Sequence, residues 1–322
     1  MRFRSLLVLA AVAAVAAGCS EPADPVVVEP TTEAAMDAPA YDPALEPAAA
    51  VLAVVPGEAT VLEVTDFDQV RLALGYGDLS SASEPAVLRR FWRQAEAEAP
   101  LLSPGMLRDQ GTERYGFTQD DVSWEAHFTG PAGEGFVVKF RDDLDMAGVQ
   151  RAAAATGGPL AGAVVVPAVQ IAAVGATREP TESWAADPAL VTLVGPKAGA
   201  TYVSSDCLAV DEAFGGDVGG DLADDLAPTP AADLGALDAL GPFSLGFGGR
   251  LVTARLGGTR TDVFERARLA ETMPATDPEF GLGYVDPVAD PRDGRIGFTL
   301  GDGPVAARLA RERQLPFAVC GG

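Results

Sequence analysis

Val122 to Thr129 alternates without a break. Val122, Trp124, Ala126 and Phe128 are apolar; Ser123, Glu125, His127 and Thr129 between them are polar. Successive side chains on a strand point to opposite faces, so this period predicts a half-buried strand. Gly130-Pro131-Ala132-Gly133 reads as a hairpin loop and Phe136 to Phe140 as the returning strand. No other stretch constrains the fold as tightly, because the period fixes which residues share a face.

Helical signals flank this hairpin. Asp66 caps a short helix with Phe67, Val70 and Leu74 on one side, stopped by Gly75-Tyr76-Gly77. A longer helix begins at Pro85, with Val87, Leu88, Phe91, Trp92 and Ala95 as its apolar stripe and Arg89, Arg90 and Arg93 outside it. Asp142, Asp143 and Asp145 lead into a third, with Met146, Val149 and Ala153 inward and Gly157-Gly158-Pro159 at its end. Val51 to Val55 and Thr60 to Val64 are β-type runs split by Pro56-Gly57, and Ala163 to Val174 contains a last strand. Strand, helix, hairpin, helix, strand is a split βαβ order.

The order recurs toward the C-terminus. Arg250 to Leu256 reads as a strand and Asp262 to Glu271 as a helix. Tyr284 and Arg295 to Leu300 flank a Pro291-to-Gly294 turn; Pro304 to Arg313 is a helix, and Phe317 to Cys320 a closing strand. Ile296 to Leu300 with helix 304–313 then corresponds to Phe136 to Phe140 with helix 145–155. The expected fold is α+β, with two tandem, related split-βαβ (ferredoxin-like) halves at 51–176 and 177–322. Between them Ala189 to Val194 and Thr201 to Val203 read as short strands, and 211–238 as an acidic Gly/Pro-rich loop.

Residues 19–50 read as a disordered tether. From Ser20 to Ala50 there are six prolines, seven acids, no Lys or Arg, and Tyr41 as the one aromatic. Such a segment buries too little apolar surface to offset its ordering entropy. Ahead of it, Arg2 and Arg4 precede a twelve-residue run, Leu6 to Ala17, of mostly Leu, Val and Ala. A membrane span needs ~20 apolar residues, and a shorter run suits a signal peptide. The run ends Ala16-Ala17-Gly18-Cys19, which resembles the lipobox of bacterial lipoproteins, with Ala16 where that class usually has Leu. The resemblance covers these residues only. It implies that 1–18 is removed as a signal peptide and that Cys19 carries lipid, anchoring the chain to the extracytoplasmic face of the membrane.

Three cysteines are an odd count, and assigning Cys19 to lipid leaves Cys207 and Cys320 to pair in an oxidising compartment. The net charge of −23 becomes −25 without Arg2 and Arg4, which repels nucleic acid and anionic lipid. Only Lys139 and Lys197 are lysines.

Few residues suggest chemistry. Asp217, Asp221, Asp224 and Asp225 offer oxygens to Ca²⁺, but lack the spacing of a calcium loop and read as a solvated acidic stretch. Asp286, Asp290 and Asp293 read as hairpin-turn residues. His127, the one histidine, has Glu125 on its own face, a pair able to do acid–base work but more simply a polar surface. Gly301-Asp302-Gly303-Pro304-Val305-Ala306 has the G-x-G-x-x-A form, yet the chain lacks the second strand and acid that a dinucleotide site needs. The expected function is therefore a non-catalytic binding module without metal or cofactor. An envelope protein, a glycan or a small molecule would be its partner. A transporter's solute receptor is the alternative, and a carboxylate-based envelope enzyme the second.

Overall fold

The computed structural model describes residues 41–195, 197–215, 234–271 and 280–321. Order is present earlier than the expected tether boundary at residue 50. Tyr41 is buried, and α1 (Pro47–Val51) packs Ala48, Ala50 and Val51 into the core. Val51 to Val55 is accordingly the end of a helix and a turn rather than a strand. Pro47 and the alanines at 48–50 favour the helix start, and tertiary packing overrides the β propensity of the valines that follow.

The first half continues with β1 (Val61–Asp66), α2 (Phe67–Ala73), α3 (Pro85–Glu98), β2 (Val122–Gly130), β3 (Gly133–Phe140), α4 (Met146–Ala153), β4 (Val164–Val166) and β5 (Ile171–Val174). Asp66 and Asp145 cap α2 and α4 by accepting from Gln69 N and Ala147 N, each at 3.0 Å. After α5 (Pro188–Leu193), the second half contains β6 (Ala200–Ser204), α6 (Val210–Ala213), β7 (Phe243–Gly248), β8 (Leu251–Arg255), α7 (Val263–Glu271), α8 (Phe280–Gly283), β9 (Tyr284–Asp290), β10 (Arg295–Leu300) and α9 (Gly303–Arg311). The class is α+β: nine α-helices among the described residues on a ten-stranded antiparallel sheet.

The sheet order is β4-β5-β3-β2-β1-β6-β7-β8-β10-β9. One sheet thus crosses both halves, joined where Val61 to Thr65 pairs with Ser204 to Ala200. The halves share an internal order when read outward from that seam: β1-β2-β3-β5-β4 and β6-β7-β8-β10-β9. They are not split βαβ units, which require a parallel pair; every ladder here is antiparallel. The topological counterpart of β3 and α4 is β8 and α7, not β10 and α9.

Other expectations fail at short elements. Residues 189–193 lie in α5, opened by Asp187, which accepts from Ala189 N at 2.8 Å, and by Pro188. Phe317 to Cys320 forms a 3₁₀ turn and a single parallel bridge, Leu208 to Val319. Residues 163–174 make two strands about a turn at Gln170, not one. β7 was not anticipated, because Gly246 and Gly248 hide its alternation. Both sheet edges resist further pairing: β4 has three residues, and β9 carries Pro287 and a left-handed Asp286 at φ 52°.

Residues facing each other across a ladder share a face. Leu62, Val64, Ala126, Phe128 and Val203 face one side, under α1, Trp184 and α5. The opposite side carries two apolar clusters, one beneath α3 and α4, the other beneath α7 and α9. Val122 belongs to the first of these, not with Trp124, because a register shift between Val122 and Trp124 breaks the alternation. On that same side, in the middle of the sheet, lies a polar seam: Glu63, Thr65, Glu125, His127 and Tyr202.

Candidate functional site

α3 starts at Pro85 and buries Phe91, Trp92 and Ala95 along the predicted stripe. Arg89 and Arg93 flank that stripe one turn apart and stay exposed. Opposite them the chain runs from Leu107 to Asp120, and between the two walls lies a groove of about 820 Å³. Trp92 and Gln119 reach its floor. The Trp92 Nε1 donates to Asp120 Oδ1 at 2.8 Å, and the Arg108 guanidinium lies over the indole at 4.5 Å while pairing with Glu96 at 2.6 Å. No ion pair joins Arg89 or Arg93 to any other described residue.

The far wall hangs on a buried carboxylate. Glu125 is fully buried and accepts from Ser103 Oγ, from Met106 N at 3.2 Å and from Gln119 Nε2 at 3.2 Å. Gln119 Oε1 in turn accepts from Leu107 N at 2.8 Å, and Thr65 Oγ1 accepts from Ser103 N at 3.0 Å. Gly105 passes close beneath, with φ 93° and with room for a Cβ only 2.8 Å from Gln119 Cδ, so the turn requires glycine. The face carrying Glu125 is thus not a surface face; loop 99–107 covers it.

The structure brings His127 and Glu125 together, with His127 Nε2 at 3.5 Å from Glu125 Oε1. Ser103, Glu125 and His127 meet, but the serine donates to the glutamate rather than to the histidine. Glu125 therefore spends its oxygens organising the groove wall. Burial pushes the neighbouring Glu63 carboxyl up, against the opposing pull of Arg311 and His127.

A second, shallower groove of about 590 Å³ gathers both lysines, Lys139 and Lys197, beside Asp66, Asp68 and Asp142. Lys139 donates to Phe140 O at 2.9 Å and pairs with Asp142. Burial raises the Asp66 carboxyl to about 6.

The remaining sequence candidates separate cleanly. Cys207 and Cys320 are bonded, with Cα atoms 5.0 Å apart. Asp302 caps α9 by accepting from Val305 N at 3.0 Å; Gly301 and Gly303 meet Leu282 O and Glu98 O so closely that a Cβ would stand 2.1 and 2.4 Å away. The G-x-G-x-x-A pattern is therefore a packing device. Asp290 and Asp293 pair with Arg292 and Arg295 in the β9–β10 turn, and Asp286 lies on β9. Cys19 and the calcium candidates Asp217, Asp221, Asp224 and Asp225 lie outside the described residues. Among the described residues no group of three His, Cys, Asp or Glu could hold a metal, and no helix is long and apolar enough to cross a membrane.

Sequence reasoning set Arg89 and Arg93 aside as the outer face of a helix. The signal that could have found them is their clustering: five of the chain's arginines fall between Arg89 and Arg114 in an otherwise acidic protein. No family model, curated protein or solved structure matches the chain.

Proposed function

We propose that this protein is a lipid-anchored, extracytoplasmic binding module that takes a charged small molecule in the groove between α3 and loop 107–120. The anchor rests on the lipobox-like end of the first nineteen residues and on Cys19. The observation that carries the binding reading is a pair of arginines, Arg89 and Arg93, left without carboxylate partners at a groove in a chain of net charge −23. Unpaired guanidiniums beside a preformed concavity suit recognition of a ligand's anionic group. The ligand is bound rather than transformed. The strong negative charge disfavours nucleic acid.

A two-lobed solute receptor fits less well. Its lobes close about a hinge, whereas here β1 and β6 join the halves edge to edge in one sheet.

Two measurements test this. Cys19→Ala should move the protein from the membrane fraction to the soluble one, and unchanged fractionation refutes the anchor. Thermal unfolding of the full chain against charged and neutral solutes should show a raised midpoint with at least one charged solute. That rise should be lost in Arg89→Gln/Arg93→Gln. A rise that survives the double substitution refutes this groove as the site.

A further inference from the structure

The free charges of the α3 groove sort by wall. Arg108 and Glu96 neutralise each other, and Asp120 is engaged by Trp92. Four exposed charges remain: Arg89 and Arg93 on the helix, Asp109 and Glu113 on the loop. None of these four forms an ion pair with another described residue, although the walls themselves meet where Arg108 pairs with Glu96. Arg89 and Arg93 are spaced i, i+4, an arrangement of like charges that a helix on its own disfavours. Asp109 holds a left-handed backbone, φ 56°, in the wall that Glu125 and Gln119 support.

A simple anion drawn to the arginines would face Asp109 and Glu113 across the groove, and a simple cation would meet the reverse. A molecule with a carboxylate at one end and an ammonium at the other satisfies both walls. The volume of about 820 Å³ lies within the usual range for small-molecule sites and exceeds what a single amino acid fills. We infer that the groove binds a short zwitterionic peptide, its carboxylate toward Arg89 and Arg93 and its ammonium toward Asp109 and Glu113. This rests on the binding-module reading and specifies its ligand.

The full chain is titrated with Ala-Ala, with N-acetyl-Ala-Ala, which lacks the ammonium, and with Ala-Ala amide, which lacks the carboxylate. Calorimetry and tryptophan emission report binding. Ala-Ala should bind, and each blocked form should bind about tenfold more weakly or worse. Arg89→Gln/Arg93→Gln should weaken Ala-Ala and leave the amide unaffected. Asp109→Asn/Glu113→Gln should weaken Ala-Ala and leave the acetylated form unaffected. All four side chains are exposed, so the variants should fold, and unchanged unfolding midpoints without ligand check this. Equal binding of N-acetyl-Ala-Ala and Ala-Ala, or no binding of Ala-Ala, overturns the zwitterion. In that event, any other solute whose binding needs Arg89 and Arg93 preserves the binding module alone, and none doing so removes both.

Discussion

Gln119 links the candidate groove to the centre of the sheet: its Nε2 donates to Glu125 at 3.2 Å while the residue itself lines the groove floor. A fully buried carboxylate thereby sets the position of a surface wall. Glu125 gathers Ser103, Met106 and Gln119, three residues from a loop with little regular structure of its own. Carboxylates suit this because they accept at several sites at once.

Glu125→Gln keeps the shape but replaces one accepting oxygen with an amide NH₂ that faces other donors. Leaving buried donors unmatched costs about 1–3 kcal/mol, so urea unfolding should shift down by that amount. Tryptophan emission should change as the wall beside Trp92 loosens. Unaltered stability and emission would mean the wall is held by other contacts.

Asp66 carries a pH dependence of defined sign. Burial raises its carboxyl from 3.8 to about 6 in the fold, so the folded state holds the proton more tightly than the unfolded chain does. The resulting stabilisation is complete below about 4 and is lost as pH rises through about 6, an amount of roughly 3 kcal/mol. Asp66→Asn keeps an oxygen for the Gln69 N–H and removes the titration. Its unfolding free energy, followed from pH 4 to 7, should be flatter than that of the wild type and higher at neutral pH. Parallel curves would exclude Asp66 as the titrating group.

Cys207 and Cys320 are 113 residues apart in sequence, and Cys320 is exposed to reductant. Closing a loop of about a hundred residues is worth roughly 4.7 kcal/mol in the chain-entropy model. Dithiothreitol should therefore lower the unfolding midpoint, and Cys207→Ser/Cys320→Ser should reproduce the lowering and be insensitive to reductant. A reductant effect that persists in the double variant would point elsewhere.

Arg266 is fully buried on α7 and binds Asp262 Oδ2 at 2.7 Å, Phe317 O at 3.0 Å and Val319 O at 2.7 Å. It thus ties the chain end beside the disulfide to the helix. Arg266→Met strands these acceptors and should cost about 3–5 kcal/mol in denaturant unfolding. Burial alone would raise the Asp262 carboxyl, but hydrogen bonds from Arg260 and Arg266 outweigh it and hold it below its usual range. This contribution is present above about 4 and is lost as pH falls through the depressed value, opposite in sign to Asp66. The Arg266→Met variant should lose less stability on acidification than the wild type; an equal loss would count against the pair.

What local sequence specifies, the structure contains. The alternation from 124 to 129, the stripe of α3 and the capping acids Asp66 and Asp145 report contacts within a few residues, and all survive folding. The expected disulfide also forms, because two cysteines left in one domain have few partners. β7 and α5 were hidden, the first by glycines in its alternation, the second by a β-branched run that a capping aspartate and proline turn into helix.

The sequence by itself determined the hairpin, the principal helices and their caps, since period and capping are properties of neighbours in the chain. Only tertiary structure decided strand order, the shift that sends Val122 to another core, and the burial of Glu125. It also decided that Arg89, Arg93, Asp109 and Glu113 would line one groove. Each of these depends on which distant segment closes over a given face. That choice is made by burial and hydrogen-bond satisfaction summed over the whole sheet, and no local pattern encodes it.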